Sequence, residues 1–134
     1  MYTQKVMEIF QNPQNMGEIR TANAIGTVGN PVCGDIMKLY LVIEDGKIVD
    51  AKFKTFGCVA AIASSSIATE LIKGKTIEEA LNFDNNLIIK ELGELPPQKI
   101  HCSILAKEAI EDAIANYYKR LEKEEERKRK EVVE

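Results

Sequence analysis

Apolar residues recur along this chain at helical spacing near the N-terminus and after Cys58, and in strand-like runs between them, so the character of the chain changes at Cys58. Before it, Val6, Ile9 and Phe10 stand at helical spacing within Lys5 to Phe10. That predicts a short helix ending ahead of Asn12-Pro13, because the residue before a proline is pushed out of the helical region. Gln11 to Ala24 is rich in Asn, Gln and Gly and predicts a loop. Ala24 to Gly29 predicts a brief strand, and Asp35 to Glu44 a longer one carrying Ile36, Met37, Leu39, Tyr40, Leu41, Val42 and Ile43. Asp45-Gly46 predicts a two-residue hairpin turn, since both residues tolerate positive φ. Lys47 to Phe56 then returns as a strand. Its Ala51-Lys52-Phe53-Lys54 portion alternates apolar and charged residues, so one face should be wet.

After Cys58 helical spacing takes over. Val59 to Lys73 is rich in alanine and serine, with Ile62, Ile67, Leu71 and Ile72, and predicts a helix whose first turns carry little bulk, so another backbone can pack close. Gly74 supplies a C-terminal stop. Thr76 followed by Glu79 is a capping box that opens a short helix to about Phe83. Asp84 to Leu92 predicts another. Leu95-Pro96-Pro97 should be extended. From Ser103 a long helix is expected to the C-terminus, its apolar stripe made of Ile104, Leu105, Ala109, Ile110, Ala113, Ile114 and Tyr117. Lys119 to Glu134 holds seven basic and six acidic residues with almost nothing apolar before Val132, which reads as a solvated, fraying helical extension. The boundaries are therefore 1–118 for one domain and 119–134 for the extension. No internal repeat is evident.

Composition narrows the classes. A chain of 134 residues that is 45% apolar suits a single domain with a real core. A net charge of -3 argues against a nucleic-acid surface, and 6% aromatics without tryptophan argues against base-stacking platforms. No apolar run approaches the ~18 residues that span a bilayer. Residues Met1 to Val6 show neither a signal core nor transit character, so a cytoplasmic location is expected. Three widely spaced cysteines without a CxxC pair argue against a disulfide framework.

Those cysteines carry the candidate chemistry. Cys33 lies in Pro31-Val32-Cys33-Gly34-Asp35, Cys58 closes Phe53-Lys54-Thr55-Phe56-Gly57-Cys58, and Cys102 follows the only histidine in Lys99-Ile100-His101-Cys102-Ser103. Each sits at a predicted element boundary. Cys58 and Cys102 fall at helix starts, where positive potential favours thiolate, although Ser103 competes with Cys102 as N-cap. Asp35, two residues from Cys33, would share a strand face with it. Three soft thiolates with a carboxylate and an imidazole in reserve suit an iron–sulfur cluster or a zinc ion, and a hard carboxylate ligand should make a cluster labile. The fourth donor stays open between Asp35 and His101; imidazole is the better partner for iron or zinc, and Lys99 would offset negative charge. Each residue alone has a plainer reading: a small buried hydrophobe for a cysteine, a surface or capping group for His101, a turn or cap residue for Asp35. A Cys102–His101 nucleophile pair is disfavoured because sequence neighbours rarely point at one another and no third orienting group is evident.

The same residues resemble the IscU/NifU N-terminal type of iron–sulfur cluster scaffold. The resemblance runs from Tyr2 to about Tyr118. It rests on Tyr2…Lys5-Val6, Asn12-Pro13-Gln14-Asn15-Met16-Gly17, Cys33-Gly34-Asp35-Ile36-Met37-Lys38-Leu39, Phe53 to Cys58, Ala61-Ile62-Ala63-Ser64-Ser65-Ser66, Lys73-Gly74-Lys75 and Leu95 to Ser103. It implies an α+β fold: a small antiparallel β-sheet of about three strands covered on one face by helices, with a long C-terminal helix and the site at one exposed end. It implies assembly of a labile [2Fe–2S] cluster from iron and desulfurase-delivered sulfur, and transfer to apo-proteins, without enzymatic turnover. Carried over, Cys33, Cys58 and Cys102 are thiolate ligands, Asp35 admits iron and keeps the cluster exchangeable, and His101 is the additional ligand. Cys102 is the persulfide acceptor, Tyr2 is linked to self-association, and zinc can fill the same set when no cluster is present. The implied partners are a cysteine desulfurase of the IscS/NifS type, an electron-donating ferredoxin and apo iron–sulfur recipients. Gln98 stands where members served by an Hsp70-type chaperone carry Val, which counts against that partner. The absence of an insertion after Cys58 and the presence of His101 favour the scaffold branch over a zinc-dependent persulfide acceptor. No cysteine follows Cys102, so the chain resembles a stand-alone scaffold rather than a NifU with further cluster domains.

Overall fold

The computed structural model describes residues 3–30, 34–93 and 101–133. Three strands, β1 (Ala24–Asn30), β2 (Asp35–Glu44) and β3 (Lys47–Phe56), form an antiparallel sheet in that order. Among the described residues five helices accompany it: α1 (Gln4–Gln11), α2 (Val59–Ile72), α3 (Ile77–Leu81), α4 (Asn85–Leu92) and α5 (His101–Val133). The expected α+β architecture is the one observed.

The β2–β3 hairpin turns at Asp45 and Gly46 with φ of 52° and 75°, the left-handed pair that a two-residue turn needs. A register shift between Val42 and Ile43 accommodates one extra residue in the ladder. Met37, Leu39, Leu41, Ala51 and Phe53 are all fully buried on the face that the helices cover. Lys54 and Phe56 project from the opposite face of β3, so the alternation read there is real. Both sheet edges are closed by other parts of the chain, which removes the hazard of unpaired strand edges. On β3, the predicted loop runs alongside: the Gly17 amide donates to Phe53 O (2.8 Å), and the Phe53 amide donates to Asn15 O (2.9 Å). On β1, the Thr27 amide donates to Asp112 Oδ2 (2.9 Å) and Asn116 Nδ2 donates to Ile25 O (2.8 Å), both reaching across from α5.

Helix starts follow their caps. Thr3 Oγ1 accepts from the Val6 amide at α1, Thr76 and Glu79 form the expected capping box at α3, and Asp84 accepts from the Asn86 amide at α4. In α2 the hydroxyls are buried: Ser65 Oγ donates to Ala61 O (2.7 Å), Thr69 Oγ1 donates to Ser65 O (2.9 Å), Ser66 Oγ accepts from the Gln14 amide of the loop after α1 (2.8 Å), and Ser64 Oγ is left without a hydrogen-bond partner among the described residues. Small side chains there let α1 and the loop after it lie close. The stripe of α5 (Leu105, Ala106, Ala109, Ile110, Ala113, Ile114) packs into the same core, and from Lys119 to Lys130 the helix is exposed and carries charges of both signs.

One expectation changes. The last helix begins at His101 rather than Ser103, which places Ser103 inside the first turn instead of at the cap. A serine is tolerated there because first-turn amides have no intrahelical partner in any case. Gly34 has φ of +72° and β2 opens at Asp35; the strand face expected to be shared by Cys33 and Asp35 depends on Cys33 and so lies outside the described residues. Tyr2, Cys33, the Leu95–Pro97 segment, Gln98 and Lys99 lie outside the described residues.

Candidate functional site

β2 opens on Asp35, which pairs with Asn30 of β1, and the next residue, Ile36, pairs with Phe56 at the end of β3. Gly57 and Cys58 follow directly, so the end of β3 and the start of α2 lie beside Asp35. Asp35 is 1% exposed. Its Oδ1 accepts the Cys58 amide hydrogen at 3.1 Å, and its Oδ2 lies 3.6 Å from Cys58 Sγ, within range of an S–H···O contact. Cys58 is the N-cap of α2, and its own side chain does not cap the helix. The Asp35 carboxylate therefore supplies an acceptor at that terminus, where unpaired amides and the helix dipole stabilise negative charge. The half-buried thiol and the buried carboxylate form a donor pair, one soft and one hard.

The direction of α5 brings a third part of the chain to this end of the sheet. Asn116 contacts Ile25, Asp112 contacts Thr27, and Ala109 and Ala113 lie on Gly26, so α5 runs antiparallel to β1. At about 1.5 Å per helical residue and 3.3 Å per strand residue, the stretch from Asp112 back to Cys102 spans ~15 Å and that from Thr27 to Asn30 ~10 Å. Asn30 pairs with Asp35. The first turn of α5, which contains His101 and Cys102, thus begins at the Asp35–Cys58 end. The side chains of His101 and Cys102 are not described, and Cys33 falls outside the described residues. Among the described residues no three metal-capable side chains gather; the structure brings Asp35 and Cys58 together.

The open face beside this pair is apolar with a charged margin. Phe56 is 84% exposed and Ile36 52%, and with Met16 they line a shallow cavity of about 430 Å³. Lys54 on its rim pairs with Glu18; the hydrogen bond and charge of Lys54 hold the Glu18 carboxyl below its ordinary value, and the same bond raises Lys54. Sequence reading singled out neither the exposure of Phe56 nor the contact of Gly57 with Asp35. The first carried a signal, an aromatic at the wet position of an alternating strand; the second carried none.

The sequence model of the family described as NifU-like N terminal domain matches residues 1–124. An iron–sulfur cluster assembly scaffold protein, IscU 1, of Archaeoglobus fulgidus is 55% identical over 120 residues, 90% of this chain and 78% of the relative. A crystal structure described as a cluster assembly scaffold protein for the SUF system, from Fervidobacterium islandicum, superposes with a TM-score of 0.68 at 29% identity, covering 84% of this chain and 95% of that one. A NifU-like N-terminal structure from Brucella abortus gives a TM-score of 0.74 at 20% identity over 87% of this chain and 94% of that one, a likeness of fold alone. No helix among the described residues is long and apolar enough to cross a membrane. The chain belongs to the NifU-like N-terminal domain family.

Proposed function

We propose that this chain is a scaffold on which a labile [2Fe–2S] cluster is built from iron and sulfur and handed to apo-proteins. The observation that carries the reading is the buried Asp35 carboxylate held against the amide and thiol of Cys58 at the start of α2. A structural thiolate site needs no such neighbour. A hard oxygen donor beside a soft sulfur is what an exchangeable site needs, because it admits iron and weakens the hold on a finished cluster. Cys33, Cys58 and Cys102 would supply thiolates, with Asp35 and His101 as the further donors. The start of α5 at the Asp35–Cys58 end supports this grouping. The cluster is cargo, and zinc can occupy the same donors in its absence.

Cys102 is the proposed persulfide acceptor, fed by a cysteine desulfurase of the IscS/NifS type. Persulfide sulfur must be reduced to sulfide before it enters a cluster, so the reading includes a ferredoxin as electron donor. Recipient apo-proteins and self-association through Tyr2 complete the partners. Exposed Phe56 and Ile36 offer an apolar contact surface at the same edge. The cytoplasmic location expected from the sequence belongs to this proposal, and cell fractionation tests it.

Anaerobic reconstitution with iron, cysteine and a desulfurase should yield visible charge-transfer absorption, and the loaded protein should convert apo-ferredoxin to its holo form. A folded product that stays colourless counts against the scaffold. A coloured product that never passes its cluster on would favour a zinc-dependent persulfide acceptor instead.

A further inference from the structure

We propose that Gly57 is a positioning residue: the space left by its missing side chain is what seats the Asp35 carboxylate on Cys58. Glycine is not needed here for its backbone freedom, because Gly57 has no positive φ, unlike Gly34 or Gly46. Its reason is steric. A Cβ built on Gly57 would lie 2.4 Å from Asp35 Oδ1, 2.7 Å from Asp35 Cγ and 3.1 Å from Asp35 Cβ. All three nearest atoms belong to one side chain, and that side chain is the one bonded to the next residue's amide. Asp35 is 1% exposed, so the carboxylate cannot swing aside into solvent while β2 keeps its pairing. A methyl group at position 57 therefore evicts Oδ1 from the Cys58 amide and carries Oδ2 away from Sγ.

Two consequences separate this role from a merely structural one. Gly57→Ala should reproduce the effect of Asp35→Ala on Cys58, although it leaves the carboxylate in the chain. The two substitutions should also fail to add: once the carboxylate is gone, an alanine at 57 meets only the residual Cβ at 3.1 Å, which a small shift relieves. The inference rests on the scaffold reading only for what Asp35 does to a cluster; under that reading Gly57→Ala inherits the cluster-release behaviour of Asp35→Ala.

The test uses the full chain, isotopically labelled and freed of metal with a chelator, as wild type, Asp35→Ala, Gly57→Ala and the double variant. The readouts are the Cys58 amide proton shift, its hydrogen-exchange protection, and the melting temperature. Loss of a hydrogen bond to a charged acceptor should lower the protection of the Cys58 amide by about tenfold or more in both single variants. The amide shift should move the same way in both, and the double variant should melt no lower than Gly57→Ala. If Gly57→Ala does not fold, the double variant should, with the Cys58 amide of Asp35→Ala. A Gly57→Ala protein that keeps the wild-type Cys58 amide overturns the proposal. So does a penalty for alanine at 57 that persists in full without Asp35, or a double variant that also fails to fold. None of these readouts needs a cluster, so failed reconstitution would sink the scaffold reading and leave this one standing, and the reverse holds as well.

Discussion

Replacing Gly26 with alanine puts a methyl group where α5 already is. A Cβ at that position would lie 2.5 Å from Ala109 O, 2.6 Å from Ala113 N and 3.1 Å from Ala113 Cα. These are backbone atoms of a helix, not the tips of flexible side chains, so nothing can rotate away. Restoring an ordinary contact of about 3.4 Å means lifting α5 from β1 by close to 1 Å, and a gap of that size forfeits a quarter to a half of each contact it opens. The side chains that lose are Ala106, Ala109, Ile110 and Ala113, all buried. The two hydrogen bonds that flank the position, Asp112 to Thr27 and Asn116 to Ile25, would stretch with them. Overpacking a core costs ~1–3 kcal/mol, and a backbone-on-backbone clash belongs at the top of that range. Reduced freedom of the unfolded chain returns about 0.4–1 kcal/mol. The net expectation is a loss of about 2–2.6 kcal/mol, or roughly a 10 °C fall in melting temperature for a chain of this size. Gly29 on the same strand is the control: a Cβ there meets Asp35 O at 3.6 Å and an Ile36 side-chain carbon at 3.9 Å, which is ordinary contact. Gly29→Ala should be neutral within about 0.5 kcal/mol. Urea unfolding followed by far-ultraviolet circular dichroism measures both. Equal stabilities for the two variants would refute the claim that α5 is seated on the bare backbone of β1.

Four further outcomes follow from the geometry. Thr76→Ala removes the side-chain half of the α3 capping box and should cost ~1 kcal/mol in the same urea titration. The hydrogen bond from the Thr76 amide depresses the Glu79 carboxyl below its ordinary 4.5; a depressed carboxylate stabilises above the unfolded value and loses that contribution as pH falls through the folded one. The melting-temperature gap between wild type and Glu79→Gln should therefore be present at neutral pH and close below 4.5. The exposed Lys54–Glu18 pair should matter little, so Glu18→Gln should melt with wild type at physiological salt. A chain ended at Arg120 should melt like the full protein, because residues 122–130 are exposed and belong to no core contact; a large drop would show that the charged extension is part of the folded unit.

Periodicity made the elements legible because each buries one face. The alternation in Lys47 to Phe56, the heptad-like stripe of α5 and the Asp45-Gly46 turn each have a local physical cause that composition preserves. What the sequence could not show was position across elements. The loop Gln11 to Ala24 looked structureless, yet it completes the edge of β3 through the backbone atoms of Asn15 and Gly17, which leave no trace in side-chain pattern. The start of α5 at His101 rather than Ser103 leaves no mark in the sequence because serine is a good cap and an acceptable first-turn residue alike. The cysteines were conspicuous as residues, but the pairing of Asp35 with Cys58 joins positions in β2 and α2 that only the sheet brings together.

Gly26 and Gly57 extend that reasoning to glycine itself. Neither has a positive φ, so neither is explained by a turn. One admits a helix backbone and the other admits a carboxylate. Gly46 announces its conformational reason through the Asp-Gly turn it completes, whereas Gly26 and Gly57 carry no such signal in the sequence. The substitution that separates the cases is the compensating one: removing what occupies the space should relieve an alanine at 57, whereas no side-chain deletion can relieve an alanine at 26, because the obstacle there is main chain. The buried Asp35 carboxylate is thus held in place by an absence beside it, and an absence is the feature a residue-by-residue reading is least equipped to find.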